Sequence, residues 1–198
     1  MSATLLAQAA ALASAAGVST YATVALIGVA GRQEWFGPLP GSLQGLASWW
    51  VIGLAAALYA VEFLATLIPG VASVWETVHS TVRPLAGAAL AAATAWSADP
   101  AVVAAAGLIG GTLALGTHAT KLGSRVAIDA SPEPVTNAVA NIAEAGFVAT
   151  VVLLAWQHPW LALGVSVVVV VLLALLVRAL WKGLGRTFRR MAGREPAR

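Results

Sequence analysis

Long apolar runs recur along the chain, and a few polar residues interrupt them at points where a membrane makes a polar group costly. A spanning helix needs about 20 mainly apolar residues. Six segments qualify: 3–30, 45–68, 71–97, 100–127, 134–156 and 159–181. The pattern predicts an all-α fold, a polytopic transmembrane helix bundle of about six spans, with broken or half-spans among them. Gly17-Val18-Ser19-Thr20 interrupts the first segment. Arg83-Pro84 divides the third, because proline disfavours helix at the residue before it. The stretch 84–96 would be a helix of about 20 Å, too short to cross alone. Gly107, Gly110, Gly111 and Gly116 thin the fourth, and Gly107-xxx-Gly111 offers a small face for close packing.

Composition agrees with this picture. Of 198 residues, 60% are hydrophobic and 10% charged, against about 25% charged in soluble domains. The absence of cysteine excludes disulfides, thiolate metal sites and cysteine nucleophiles. A net charge of +3 and a pI near 10.0 would suit a nucleic-acid binder. Seven of the eleven Lys and Arg, however, fall within 178–198, so no nucleic acid is expected. The division is a single transmembrane domain at 1–182, followed by a basic cytoplasmic tail at 183–198 resting on anionic lipid headgroups. The apolar run 3–16 lacks a preceding basic region and continues through Ala30. A retained helix is therefore expected rather than a cleaved signal peptide.

Basic residues also predict orientation. With six spans and the N-terminus inside, Arg83, Lys121, Arg125 and the seven C-terminal basic residues fall on the inner side, and Arg32 alone falls outside. Trp35, Trp49, Trp50, Trp96, Trp156 and Trp160 then group at the outer interface, with Trp75 and Trp181 at the inner one. The expected location is the cell inner membrane, with both termini cytoplasmic. Three spans in each half, 1–98 and 99–182, suggest a 3+3 inverted repeat. Gly17-Val-Ser-Thr in the first span would then match Gly116-Thr-His-Ala in the fourth.

Candidate chemistry lies on three polar faces. Tyr59, Glu62 and Thr66 share one helical face, as do Asn137, Asn141 and Glu144. Intramembrane carboxylates face a bundle interior or a wet cavity and are functional candidates by default. Each could carry a proton or coordinate a cation, or could instead snorkel or pair with a basic residue for packing. Glu76, His79, Ser80 and Arg83 line the polar face of an amphipathic segment, where a Glu–Arg pair would bracket an imidazole. This face suits a re-entrant half-helix or a solvated interfacial one. His118, Lys121 and Arg125 form a second basic cluster, able to neutralise Glu62 or Glu144 or to anchor at the inner surface. Ser131-Pro132-Glu133-Pro134 has the residues of a capped helix start. No metal motif, cofactor fingerprint or catalytic set emerges, so no enzyme is expected.

Several of these blocks are similar to a bacterial membrane protein family, domain of unknown function 4126. They are Glu62-Phe-Leu-Ala with Ile68-Pro-Gly, His79-xxx-Arg83-Pro-Leu-Ala-Gly87, Gly116-Thr-His-Ala-Thr-Lys121, and Ser131-Pro-Glu-Pro134 with Asn137. The resemblance runs from about Leu6 to Leu180. That family commonly carries an Asp-Lys pair after the first block, where this chain has Thr66-Leu67. The resemblance implies a multi-pass inner-membrane protein and names no substrate.

The leading expectation is a small-solute or ion transporter that uses the intramembrane carboxylates, with broken first and fourth spans meeting near Glu62 and Glu144. The alternatives are an assembly or scaffold subunit of a membrane complex and, less favoured, a lipid-acting enzyme with His79, Glu76 and Lys121 in one pocket. Expected partners are the lipid bilayer, anionic headgroups and a second copy in a homo-oligomer.

Overall fold

A computed structural model of the chain describes residues 3–68, 70–129 and 134–192. The described elements are helical throughout. They are α1 (Ala3–Val18), α2 (Thr20–Arg32), a 3-10 turn (Leu43–Ala47), α3 (Trp49–Ala65), α4 (Val71–Val78), α5 (Val82–Thr94), α6 (Pro100–Asp129), α7 (Pro134–Gln157) and α8 (Pro159–Ala192). No strand occurs among the described residues. Three helices are long and apolar enough to cross a membrane: Pro100–Asp129, Val135–Gln157 and Pro159–Gly183. α1 and α3 are shorter apolar helices. The outer faces carry large exposed apolar side chains, such as Leu54, Val61 and Leu64 on α3, Leu108 on α6, and Val168, Leu172 and Leu175 on α8. A bilayer is the solvent that suits such a surface.

α1 is the axis of the bundle. Every residue from position 7 to position 18 is buried, as expected for a helix that is apolar on all sides. It packs on α5, α6, α7 and α8. Small residues make the α1–α5–α6 seam possible. A Cβ on Gly17 would lie 2.9 Å from the Ala114 Cα and closer still to its carbonyl oxygen. A Cβ on Gly87 would collide with Ala114, and one on Gly110 with Ala91. Of the predicted pair, a Cβ on Gly111 would lie 3.2 Å from Ala88 and one on Gly107 would make only ordinary contact, while the tightest glycine on α6 is Gly110, outside that pair.

Packing also fixes direction. Gly17 meets Ala114 and Ala13 meets Gly110, so α1 and α6 run parallel. Gly107 meets Ala92 and Gly111 meets Pro84, so α5 runs antiparallel to α6 and hence to α1, whose Ala13 meets Gly87. The start of α1 thus lies beside the α5–α6 connection, where Leu6 and Ala7 share a small cavity with Trp160 and Leu163. The α2–α3 loop lies at this same end. Ser42 N–H donates to the Ala93 carbonyl at 3.0 Å, and Phe36 stacks on Trp156 with centroids 6.1 Å apart. The six tryptophans expected at one interface gather here, and Trp35, Trp49, Trp50, Trp96 and Trp160 are exposed. This is the tryptophan end, and α8 leads away from it to the basic end.

Five expectations are corrected by this geometry. The first predicted span does not cross. α1 descends from the tryptophan end, the chain turns at Ser19, and α2 returns to the same end. The two termini therefore do not share a side: Ala3 lies at the tryptophan end and α8 finishes at the other. An inverted repeat needs the first and fourth segments to run in opposite directions, but α1 and α6 run parallel. The third segment breaks at 79–81, before Val82, instead of at Arg83-Pro84. Pro84 fits inside the first turn of α5, where a missing N–H costs nothing. The fourth segment is not broken at all: α6 is one helix of 30 residues, about 45 Å long. Its glycines serve packing instead of interruption. In addition, the basic tail continues α8 as helix to Ala192. Residues 131–133 of the expected helix start lie outside the described residues.

Candidate functional site

The site begins where α1 stops. The last carbonyls of a helix lack intrahelical partners and carry partial negative charge. Ser19 adopts extended backbone (φ −148°, ψ 107°), and its hydroxyl accepts from Ala22 N–H to cap α2. The Gly17 and Val18 carbonyls are thereby left inside the bundle. Arg83 Nη1 donates to both, reaching Gly17 O at 3.3 Å. Lys121 Nζ donates to Val18 O at 2.8 Å. Arg83 arrives because α5 lies antiparallel on α1, and Lys121 because α6 continues two turns past Ala114.

Three carboxylates surround these cations. Lys121 Nζ stands 3.1 Å from Glu62 Oε1, 2.9 Å from Glu76 Oε1 and 3.0 Å from Glu144 Oε2. Arg83 pairs with Glu62 at 2.8 Å and Glu76 at 2.9 Å. Arg125 pairs with Glu144 at 2.8 Å. It also donates to Asn137 Oδ1 at 3.2 Å and to Asn141 Oδ1. Ser19 Oγ donates to Glu62 Oε2 at 2.8 Å. With the histidines neutral, three acids meet three bases and the cluster has no formal charge. Balance is a physical requirement here, because an uncompensated buried charge costs several kcal/mol, about 3–5 when one partner of a pair is removed.

The histidines divide the work differently from the sequence expectation. Glu76 and Arg83 do pair, but the imidazole beside them is His118 from α6. Its Nδ1 lies 3.6 Å from Glu76 Oε2, beyond hydrogen-bond reach, and has no hydrogen-bond partner, while Glu76 Oε2 is the atom paired with Arg83 Nη1 at 2.9 Å. Ser80 Oγ is 3.0 Å from His118 Nε2. His79 sits to one side, stacked on Trp75 with centroids 4.4 Å apart. Its Nδ1 donates to the Trp75 carbonyl at 2.8 Å, which leaves Nε2 to accept from Tyr21 OH at 3.1 Å.

Exposure separates one acid from the rest. Glu62, Glu76, Arg83, Lys121 and Arg125 are each at most 4% exposed at the side chain, whereas Glu144 is 21% exposed. Glu144 lines two spaces. One, of about 10 Å³, lies between α3 and α7 with Tyr59, Glu62, Thr66 and Asn141 on its walls; it has room for about one water. The other is a crevice of about 250 Å³ where α6 and α7 diverge over α8. Lys121 and Glu144 form its polar wall, and Phe147, Val169, Leu173 and Leu176 are among its apolar walls.

All eight residues singled out from sequence are buried or half-buried in this region. Glu62, Glu144, Lys121, Arg83, Asn137 and Asn141 join one network, His118 borders it, and His79 is held apart by Trp75 and Tyr21. The two predicted faces meet directly: Thr66 Oγ1 donates to Asn141 Oδ1 at 3.0 Å, and Asn141 Nδ2 to the Phe63 carbonyl at 2.9 Å. Glu76 belongs fully to the network, although its amphipathic segment suited a solvated surface equally well. Ser19 and the Val18 carbonyl were flagged only as a break. Tyr21 carried no signal. Arg83, Lys121 and Arg125 are buried ion-pair partners and not surface anchors, so orientation now rests on the seven C-terminal basic residues. Among the described residues no group of three His, Asp or Glu is arranged to hold a metal ion; the chain's own cations stand between the carboxylates.

No curated protein and no solved structure matches the chain. A family model does, over residues 6–181, which include every residue of the cluster. The chain belongs to the family described as Domain of unknown function (DUF4126).

Proposed function

We propose that the protein is a small membrane transporter for an ion or small solute, with the charge-balanced cluster as its coupling site. One observation carries the reading. Two interrupted helices, α1–α2 and α4–α5, bring their broken ends to one buried set of three acids and three bases. Discontinuous helices that present free carbonyls to ions inside a membrane are a recurring transporter device. Buried ionisable groups at membrane depth mark ion or substrate paths. Glu144 connects the cluster to the crevice between α6 and α7, so rearranging its pairs would open the cluster to that space. The basic end of α8 lies on the cytoplasmic side of the cell membrane by the positive-inside rule, which puts the start of α1 outside. Catalysis is no part of this proposal.

The test is ion flux in proteoliposomes, read with a pH-sensitive lumenal dye and, separately, a cation-sensitive one under an imposed potential. Wild type is expected to conduct or exchange, and Glu62→Gln to lose flux by at least tenfold while keeping its helical spectrum and monodispersity. Undiminished flux in Glu62→Gln would remove the carboxylate from the mechanism. A scaffold role is the second reading, supported by the completeness of the pairing. Absence of flux in wild type, with co-purification of one stable partner subunit, would favour it.

A further inference from the structure

The crevice where α6 and α7 diverge over α8 has one apolar wall and one wall of hydrogen-bond acceptors. It holds about 250 Å³, just below the ~300–1,000 Å³ of drug-sized ligand sites. Its α8 wall runs from Val169 to Leu180, about 16 Å of helix, so the space is a narrow slot. Val169, Val170, Leu173, Leu176 and Leu180 make that wall wholly apolar. Leu176 and Leu180 are exposed, so the slot opens on the lipid-facing surface. A cavity water needs two to four polar partners, and the α8 wall offers none.

The polar groups gather on the opposite wall. Thr117, Thr120 and Ser124 line it, but their hydroxyls already donate to the Leu113, Gly116 and Lys121 carbonyls of their own helix. Only their lone pairs remain. Lys121 has four oxygen neighbours within 3.1 Å for its three protons, so it has none to offer. Glu144 is 21% exposed. Its Oε2 faces Lys121 and Arg125 at 3.0 and 2.8 Å, whereas Oε1 takes one hydrogen bond, from Arg125 Nε at 3.0 Å. A carboxylate oxygen has about two lone-pair sites, so Oε1 can accept one more donor.

These walls specify an occupant with an apolar body, a donor at its head and no net charge. The charge follows from the cluster, which is already neutral. A cationic head would stand uncompensated beside Lys121 and Arg125, and an anionic one would face acceptors alone. We propose that the crevice binds a neutral amphiphile from the bilayer, a long-chain alcohol whose hydroxyl donates to Glu144 Oε1 and whose chain lies along α8. Its head caps the least buried acid of the cluster. The site goes beyond the transport reading and does not depend on it.

Photolabelling of the full-length protein in nanodiscs tests it. The probe is a long-chain alcohol with a diazirine on its chain, and labelled residues are read by peptide mass spectrometry. Label is expected on Phe147, Leu173 or Leu176, and dodecanol is expected to displace it. Dodecane and dodecylammonium at equal membrane concentration are expected not to. Leu173→Trp, which fills the slot, should lose the label, while Leu172→Trp, at an exposed position of α8, should keep it. Label spread over exposed apolar faces and unmoved by dodecanol overturns the proposal, since the probe would then be marking lipid contact alone. Displacement by dodecane as strong as by dodecanol removes the role of the hydroxyl and also overturns it. Stronger displacement by dodecylammonium does the same for the neutral head. These wild-type competitions decide the matter even where Leu173→Trp does not fold. Displaceable label without flux in proteoliposomes leaves the site standing and removes the transport reading. Flux without displaceable label does the reverse.

Discussion

The same three helices, α1, α5 and α6, build two regions of opposite chemistry. Toward the tryptophan end they meet through Ala9, Ala13, Gly87, Ala91, Ala106 and Gly110, with hardly a polar atom between them. One or two turns further, they surround Arg83, Lys121 and the free end of α1. The first region is a precondition for the second. Backbones that approach this closely cannot accommodate a Cβ at Gly87 or Gly110. The same closeness puts Arg83 and Lys121 within hydrogen-bond reach of α1's last carbonyls. Packing without charge fixes the position of charge, and a buried ionic cluster is tolerable only when its geometry is fixed this well.

Substitutions can set the two regions against each other. The largest effect is expected in the charged one. Arg83→Met leaves Glu62 and Glu76 sharing Lys121 and bares the Gly17 carbonyl, so it should destabilise the protein by about 3–5 kcal/mol in reversible denaturant unfolding in micelles. A loss below about 1 kcal/mol, the range of exposed pairs, would mean the cluster is not structurally buried. In the packed region, Gly110→Val should cost about 1–3 kcal/mol by overpacking. Gly116→Ala, where a Cβ meets nothing within 4 Å, should be neutral or stabilise by up to about 1 kcal/mol through helix propensity. Equal effects at both glycines would dissolve the distinction between seam and surface. Ser19→Ala touches the hinge between the regions. It removes an N-cap and a hydrogen bond to Glu62 and should cost about 1 kcal/mol, measured by the same unfolding. Unchanged stability there would show that the turn is held by the packing of α1 and α2 alone.

Much of the site was legible because a bilayer makes polar residues conspicuous. Glu62 and Glu144 stood out against apolar neighbours, and periodicity alone put Asn137, Asn141 and Glu144 on one face. Arg125 touches all three of those residues. Other features were hidden for identifiable reasons. Glu76 lies on an amphipathic segment, and the spacing of polar residues does not say whether their face meets water or a protein interior. His79 and His118 have similar sequence surroundings, and only the packing of α4 on α6 puts His118 beside Glu76. The break in α1–α2 was visible at Ser19, but its angle was not.

Length, hydropathy and helical period were sufficient, without coordinates, for an all-helical membrane protein, the residues of its polar faces and the break at 17–20. These are local properties, written in side-chain transfer energies and backbone preferences. Direction, pairing and topology are not local. A single extended residue at Ser19 sends α2 back to the end where α1 began, and this one turn moves the N-terminus across the bundle and leaves α1 parallel to α6, against the expected matching of the first segment with the fourth. Likewise, each acid and base could have been an anchor, a cap or a surface charge. Interlocking glycine and alanine seams between α1, α5 and α6 fix Arg83 and Lys121, and carboxylates from α3, α4 and α7 complete them as a single neutral cluster.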